Sequence, residues 1–491
     1  MPLNLSNRDQ SSGHLFYNRR LRAAITRFSV RMKHDDRKQQ AALALATVFV
    51  LLGCGWMALL QVMKPAGLVG QSAIVGDRDT GALYARIDGR LHPALNLASA
   101  RLATGSAAAP TWVTAREIAK HPTGPLIGIA GIPDSYSPAS ANSAWAVCDT
   151  ARGSGGGDRP AVTAVAGDLS GGRADPLAAS DAILVSHDGA TYLIWNGKRT
   201  RVDTGDKAVG FTLGLDRDVV HPTEISTALF DAIPATEPLV VPQIPGFGTP
   251  SRWLPGSPVG RVLQTRDATG GVSGLYVLLA DGVQQVSAFV ADLLRASDSR
   301  VSAPQTVSPD RLIQIPRVNS LAIDYYPDGR LRFVDTEANP VTCVSWTKLA
   351  TDRQASISLL SGRGLPTPQR LDPFLVDLVR DNRGANSVEA DRTLVLPGAA
   401  TLVASTSGVI TSDTRESLYL VSSQGVRFGI AGDQKTLQAL GIDPARAVQA
   451  PWPMLRTFAP GPEVNHATAL VARDAYPAIG PMVGSPESER G

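Results

Sequence analysis

AALALATVFVLLGCGWMALLQVM, residues 41–63, carries no charged side chain over 23 positions. As a helix it is about 34 Å long, enough to cross a hydrocarbon core of about 30 Å. Lys64-Pro65 ends it, since proline lacks the N–H a helix needs. The 40 residues before it hold nine Lys/Arg against three Asp/Glu, a net of +6. The whole chain carries +3, so the remaining 451 residues carry −3. That charge step predicts a cytoplasmic N-terminal arm (1–40), a transmembrane helix (41–63) and residues 64–491 outside the cytoplasm. It also excludes a generally basic nucleic-acid binder, because the positive charge is confined to one arm.

Other readings of the run fit less well. A cleaved signal peptide has a short basic region, a shorter apolar run and an A-x-A site. A lipoprotein reading rests on Leu51-Leu52-Gly53-Cys54, but the apolar run continues nine residues past Cys54 to Met63. Cys54 is therefore mid-span and packs in lipid. A buried globular helix leaves the charge step unexplained. No second apolar run of comparable length follows.

The arm is patterned as a basic, partly amphipathic helix through Phe16, Arg19, Arg20, Arg22, Ile25, Phe28, Val30 and Met32. Two readings stay open: a juxtamembrane segment on anionic headgroups, or a docking helix for a cytoplasmic partner. Outside the span only Cys148 and Cys343 remain, one pair in an oxidising compartment. Each lies three residues from a tryptophan, Trp145 and Trp346. A redox pair is more often CxxC, so the spacing favours a structural disulfide closing a loop of about 195 residues.

Beyond the span, 43% hydrophobic content suffices for a core, and 46 Gly with 35 Pro favour a turn-rich body. Four segments share a strand, a Gly-containing turn and a returning strand: 83–95, 183–195, 275–289 and 418–430. Asp-Gly stands at the turn at 88–89, 188–189 and 281–282, and Gln424-Gly425 in the last. Helical patterns follow at Ile225, Ala228, Leu229, Ala232 and Ile233, and at Val286, Phe289, Val290, Leu293 and Leu294. Leu213-Gly-Leu-Asp216 matches Leu440-Gly-Ile-Asp443, and a Pro-rich exit recurs at 124–134 and 237–248. Residues 151–176 are Gly-rich and read as a loop, while 300–350 and 353–405 read as strand-rich. The expected fold is α+β and β-rich. Four hairpin-plus-helix repeats lie near 76–120, 181–240, 260–315 and 410–465, around a central β domain from 121–180 and 316–409. Residues 64–476 form this outer part, and 477–491 a flexible tail. The unequal spacing excludes a solenoid.

The search for chemistry is mostly negative. Gly429-Ile-Ala-Gly-Asp-Gln434-Lys435-Thr436 approaches a P-loop, but Gln434 replaces the glycine that lets backbone N–H groups wrap a phosphate. No histidine pair has HxH, HxxH or HExxH spacing, and no G-x-S-x-G elbow occurs. The adjacent acidic pair Asp35-Asp36 lies in the arm. No catalytic residue, cofactor or metal ligand is assigned. A membrane protein whose large outer part shows no catalytic site binds something or builds an assembly.

Long segments carry a resemblance: HLFYNRRLRAAITRFSVRMKHDDRKQ (14–39), GDRDTGALYARIDGRLHPALNLASARL (76–102), GPLIGIAGIPDS, SAWAVCDT, TALFDAIPATEPL, LADGVQQVSAFVADLL and ESLYLVSSQGVRFGI. In this order they resemble EccB, a membrane component of mycobacterial type VII (ESX) secretion systems, most nearly the subtype of the iron- and zinc-acquisition system. The resemblance implies four periplasmic repeats around a central β domain, and a disulfide on Cys148 and Cys343. It implies partnership with EccC, EccD, EccE and other EccB copies in the inner membrane, with EccC the cytoplasmic motor, and tips the arm toward protein docking. The implied function is a structural and assembly subunit for protein export. The alternatives are a periplasmic ATP hydrolase, a family label that Gln434 does not support, and a cell-wall-binding anchor.

Overall fold

The arm and the apolar run fold as two helices, α1 Arg8–Arg27 and α2 Lys33–Val62. The computed structural model describes residues 8–28, 33–62, 67–134, 142–151, 159–215, 221–297, 303–378 and 387–473. Within α2, Gln40–Leu59 is long and apolar enough to cross a membrane, with a hydropathy of 2.2. None of it is buried against protein, so its Leu, Val and Phe side chains need an apolar surrounding. Val30, Met32, the Lys64-Pro65 stop and the tail 477–491 lie outside the described residues.

Helices α1 and α2 belong to one unit, Met1–Leu68, and everything from Val69 onward to a second. The described residues of the second unit form five sheets. In the first, strands Ile74–Asp77, Leu83–Ile87 and Arg90–Ala94 run antiparallel in chain order. Helix α3 Leu97–Thr104 follows, then Thr111–Val113 returns parallel to the first strand, and α4 Ala115–Ile118 closes the set. The strand order is third, second, first, fourth.

That order recurs. The second sheet has Asp181–His187, Ala190–Trp195 and Lys198–Arg201, then α5 Lys207–Leu213, Thr223–Glu224 and α6 Thr227–Ala232. The third has Val262–Arg266, Val272–Leu278 and Val283–Gln285, then α7 Ala288–Ser297, Gln305–Thr306 and α8 Pro309–Ile313. The fourth has Leu402–Thr406, Leu418–Val421 and Val426–Ile430, then α9 Gln434–Leu440, Val448–Pro451 and α10 Trp452–Leu455. The chain then pairs outside the third strand, at Ile127 on Ala94, Leu239 on Val202, Arg317 on Val283 and Val464 on Ile430. The Pro-rich exits serve this pairing, since an edge segment needs fewer N–H donors. A last helix, α11 His466–Ala469, packs on α3.

The first helix of each set begins alike. Asn96, Asp206, Ser287 and Asp433 accept from the N–H of Ser99, Val209, Val290 and Thr436, satisfying donors the helix leaves free. Gly105, Gly214 and Gly441 end three of them in the left-handed conformation, at φ of 66°, 67° and 68°. The Leu-Gly part of the Leu-Gly-(Leu/Ile)-Asp match is this helix stop, and Asp216 lies outside the described residues.

Two expectations about the hairpins change. Segment 183–195 joins the first and second strands, whereas 83–95 and 418–430 join the second and third. The equivalent turn in the second sheet is Asn196-Gly197, with φ of 46° and 74°. Asp188-Gly189 adopts the same two-residue turn, so sequence alone selects the wrong one. Asp281-Gly282 is not such a turn. Gly282 is needed because a Cβ there would strike the carbonyl oxygen of Pro316 on the exit segment.

The fifth sheet is central. Its order is Val376–Asp377, Arg392–Val395, Ala161–Ala166, Ser143–Thr150, Val341–Lys348, Ser356–Gly362, Ala174–Pro176. The Gly-rich stretch 151–176 is therefore not simply a loop: Ala161–Ala166 is a fully buried strand. Its sequence, Ala-Val-Thr-Ala-Val-Ala, has side chains small enough for both faces of a covered sheet to accept. Leu402–Thr406, within the stretch read above as central, is the first strand of the fourth sheet.

Packing pairs the sheets. Leu102 and Ala103 of α3 share a core with Ala439 and Leu440 of α9, and so join the first and fourth. Val209 and Leu213 of α5 share one with Phe289, Val290 and Leu293 of α7, and so join the second and third. The central sheet packs Trp145, Val344 and Trp346 against Leu229 of α6 and Phe458 after α10.

Candidate functional site

Cys148 and Cys343 lie directly opposite each other in neighbouring antiparallel strands of the central sheet. Their Cα atoms are 4.0 Å apart and they form a disulfide, fully buried, across 195 residues. Trp145 and Trp346 are paired in the same register. The second and third sheets are thus an excursion whose base the disulfide closes.

Polar joints fan out from these strands. Asp149, next to Cys148, accepts from the Ser226 N–H at 2.6 Å and from its hydroxyl at 2.7 Å. Ser226 caps α6, so this bond ties the central sheet to the second. Burial pushes the Asp149 carboxyl up to about 7, although the Ser226 donors and Arg159 pull it down. Ser143 accepts from Trp145 Nε1 at 2.7 Å and donates to the Gln449 carbonyl at 2.6 Å, which ties in the fourth sheet. Lys348 Nζ donates to Gln449 Oε1 at 2.7 Å. Arg456, after α10, pairs with Asp231 of α6. None of these joints was singled out from sequence. A charged Asp inside the apolar run SAWAVCDT was the signal for one of them.

The near-P-loop resolves as a structural turn. Asp433 places its own carboxylate at the N-terminus of α9, where a phosphate would have to sit. The Thr436 N–H, and then its hydroxyl, hold that carboxyl below the usual range. A Cβ added at Gly105, at the C-terminus of α3, would lie 3.6 Å from Lys435 Cε, so the lysine stem lies beside a helix end that suits a cation. His92, His187 and His466 each contact a backbone carbonyl, those of Pro125, Ile225 and Leu102. Among the described residues no group of three His, Cys, Asp or Glu side chains is placed to hold a metal ion. An open cleft of about 530 Å³ carries Lys348, Asp413 and Arg415. Lys348 pairs with Asp413, and Arg415 donates to the carbonyls of Ala445 and Ala447.

These features define a class: a scaffold protein with, among its described residues, one candidate membrane helix and a β-rich unit whose polar groups join its parts. A family model described as type VII secretion system ESX-1, transport TM domain B, matches residues 3–478. The chain belongs to the EccB family of ESX type VII secretion systems. It is 61% identical over 483 residues to a Mycobacterium tuberculosis relative named ESX-2 secretion system ATPase EccB2, covering 98% of this chain and 97% of the relative. It is 38% identical to the ESX-3 relative EccB3 of Mycolicibacterium smegmatis, covering 95% and 91%. Among solved structures it resembles a chain of the intact ESX-5 inner membrane complex, with a TM-score of 0.74, 36% identity and 98% of both chains covered. It also resembles a chain of the EccB3 dimer from the ESX-3 core complex, with a TM-score of 0.70, 37% identity, and 82% and 100% covered. The identities do not confirm the iron- and zinc-linked subtype expected from sequence; of these relatives the ESX-2 member is the more similar.

Proposed function

We propose that this chain is a structural and assembly subunit of an ESX-type inner membrane complex. The match to a chain of the intact ESX-5 complex over 98% of both chains carries the reading. In this reading α2 spans the membrane, the arm 1–40 is cytoplasmic and the unit from Val69 is periplasmic. The arm's net charge of +6 supports that orientation. Other copies of the chain meet it through the periplasmic unit, as the dimer of the EccB3 relative suggests. EccC, EccD and EccE are the further membrane partners. The four sheets of common strand order read as four copies of one repeat around the central sheet. The relatives' printed names include the word ATPase, but Asp433 at the start of α9 disfavours a nucleotide there.

Deleting residues 69–473 from the full chain tests this. The detergent-extracted complex should fall apart into smaller species and export should stop; an intact complex that still exports would refute the reading. In the same preparations Lys435→Ala should leave ATP turnover unchanged. A loss of turnover specific to that variant would reinstate the turn as a nucleotide site.

A further inference from the structure

The open cleft of about 530 Å³ lies between the end of Val341–Lys348 in the central sheet and residues 413–415 and 445–449 of the fourth-sheet region. Lys348 Nζ bonds Gln449 Oε1 at 2.7 Å and Asp413 at 3.3 Å, and all three residues line the cleft. The Asp413 side chain is 85% exposed, so water screens that pair and leaves the ammonium largely unneutralised. Arg415 Nη1 donates to the carbonyls of Ala445 and Ala447, which also form the wall. Those two bonds fix the guanidinium, and among the described residues its Nε and Nη2 have no partner. Arg446 is exposed between the same two alanines, and its side chain has no partner among the described residues. The other acid on the wall, Asp352, is held by the Leu349 N–H and the Thr351 hydroxyl. Three cations against two carboxylates leave the cleft net positive, although residues 41–491 together carry −3.

Leu349 is 44% exposed and also walls a second cleft, of about 300 Å³, so the two adjoin at the end of that central strand. The second cleft is lined by Gly167, Leu169, Pro397 and Ala400 and by no cation. Its one acid, Asp168, is taken by the N–H and hydroxyl of Ser170. Together they make a trough with a basic half and a half of small, mostly apolar side chains. One inorganic anion would leave most of this space empty, and an acyl chain offers the arginines nothing. A sugar acid would bring carboxylates but would set its hydroxyls against Leu169 and Leu349. An extended peptide brings carboxylates on one part and small side chains on the next. We propose that the trough binds an acidic, extended peptide segment of a partner. Its carboxylates lie on Arg415, Arg446 and Lys348, and its neighbouring small residues lie over Leu349.

Fluorescence anisotropy on the full chain in an uncharged detergent tests this. The probes are rhodamine-labelled Glu-Ser-Glu-Ala-Val-Ala-Ala amide, its Gln-Ser-Gln counterpart and an oligogalacturonate of equal charge. The acidic peptide should bind saturably, at least about tenfold more tightly than the other two, and more weakly as salt rises from about 0.05 to about 0.3 M. Arg446→Glu, at an exposed side chain, should weaken it by about tenfold, and Leu349→Asp by a similar factor. Arg311→Gln, on α8 of the third sheet, should leave it unchanged. No binding, equal binding of the glutamine peptide, undiminished binding by Arg446→Glu or Leu349→Asp, or an equal loss with Arg311→Gln would each overturn the proposal. Equal binding of the oligogalacturonate would overturn it in favour of a sugar acid. Tighter binding after deletion of residues 474–491, which include Glu487 and Glu489, would overturn it in favour of the chain's own acidic end.

Discussion

Asp149 is a carboxyl taken wholly out of water and held by one capping serine. Burial raises its pKa to about 7, so the folded chain binds that proton more tightly than the unfolded chain does. The stability it lends is therefore full below the ordinary carboxylate range of about 4 and declines as pH rises toward 7. Asp149→Asn removes the titration and weakens one joint to Ser226, at a cost of about 1–3 kcal/mol. Urea titrations at pH 5 and 8 should show wild type less stable at the higher pH. The variant should be less stable at pH 5 but flatter between the two, and the difference in slope isolates the contribution of Asp149. At this scale the sequence was informative where a rule is local. Gln434 argued against the P-loop, and the capping carboxylate of Asp433 then supplied the physical reason. It was silent where the partner is distant, because nothing in SAWAVCDT names Ser226, 77 residues away.

At the scale of elements, the amphipathic patterns on α6 and α7 were legible because period and burial coincide: Ala228, Leu229, Phe289 and Leu293 are all buried. The hairpins were legible as turns but not as positions in a meander. Two successive turns in the second sheet both use left-handed pairs, and either one satisfies the sequence signal. What sequence could not supply was the partner of each helix, since α5 meets α7 and α3 meets α9 across long separations. Leu293→Ala, at the buried seam of α7 with α5, should destabilise the unit from Val69 onward by about 2–5 kcal/mol. Thermal unfolding should show it, with little effect from Ile313→Ala on the exposed face of α8. Equal losses at the two positions would mean that the α5–α7 seam is not where the second and third sheets are held.

At the scale of the molecule, the pairing of first with fourth sheet and of second with third makes the central sheet the place where the chain leaves and returns. After Ser143–Thr150 and Ala161–Ala166, the edge strand Ala174–Pro176 leads the chain out to the second sheet, and Val341–Lys348 receives it after the third. The disulfide closes this excursion at its base, and the joints from Asp149, Ser143 and Arg456 surround it. An unfolded loop of 195 residues loses much freedom when its ends are tied, on the order of 5 kcal/mol in the chain-entropy picture. The two strands are also direct neighbours, so the tie enforces a register that the Trp145–Trp346 pair already favours. Replacing both cysteines by serine should therefore lower stability without changing the fold. Urea unfolding should shift to a lower midpoint by an amount near that figure, in one transition if the central sheet couples the sheets. Reduction of wild type should reproduce the shift and slow its migration under denaturing, non-reducing conditions. A midpoint within about 1 kcal/mol of the oxidised protein would mean that packing and the polar joints hold the base of the excursion without the disulfide.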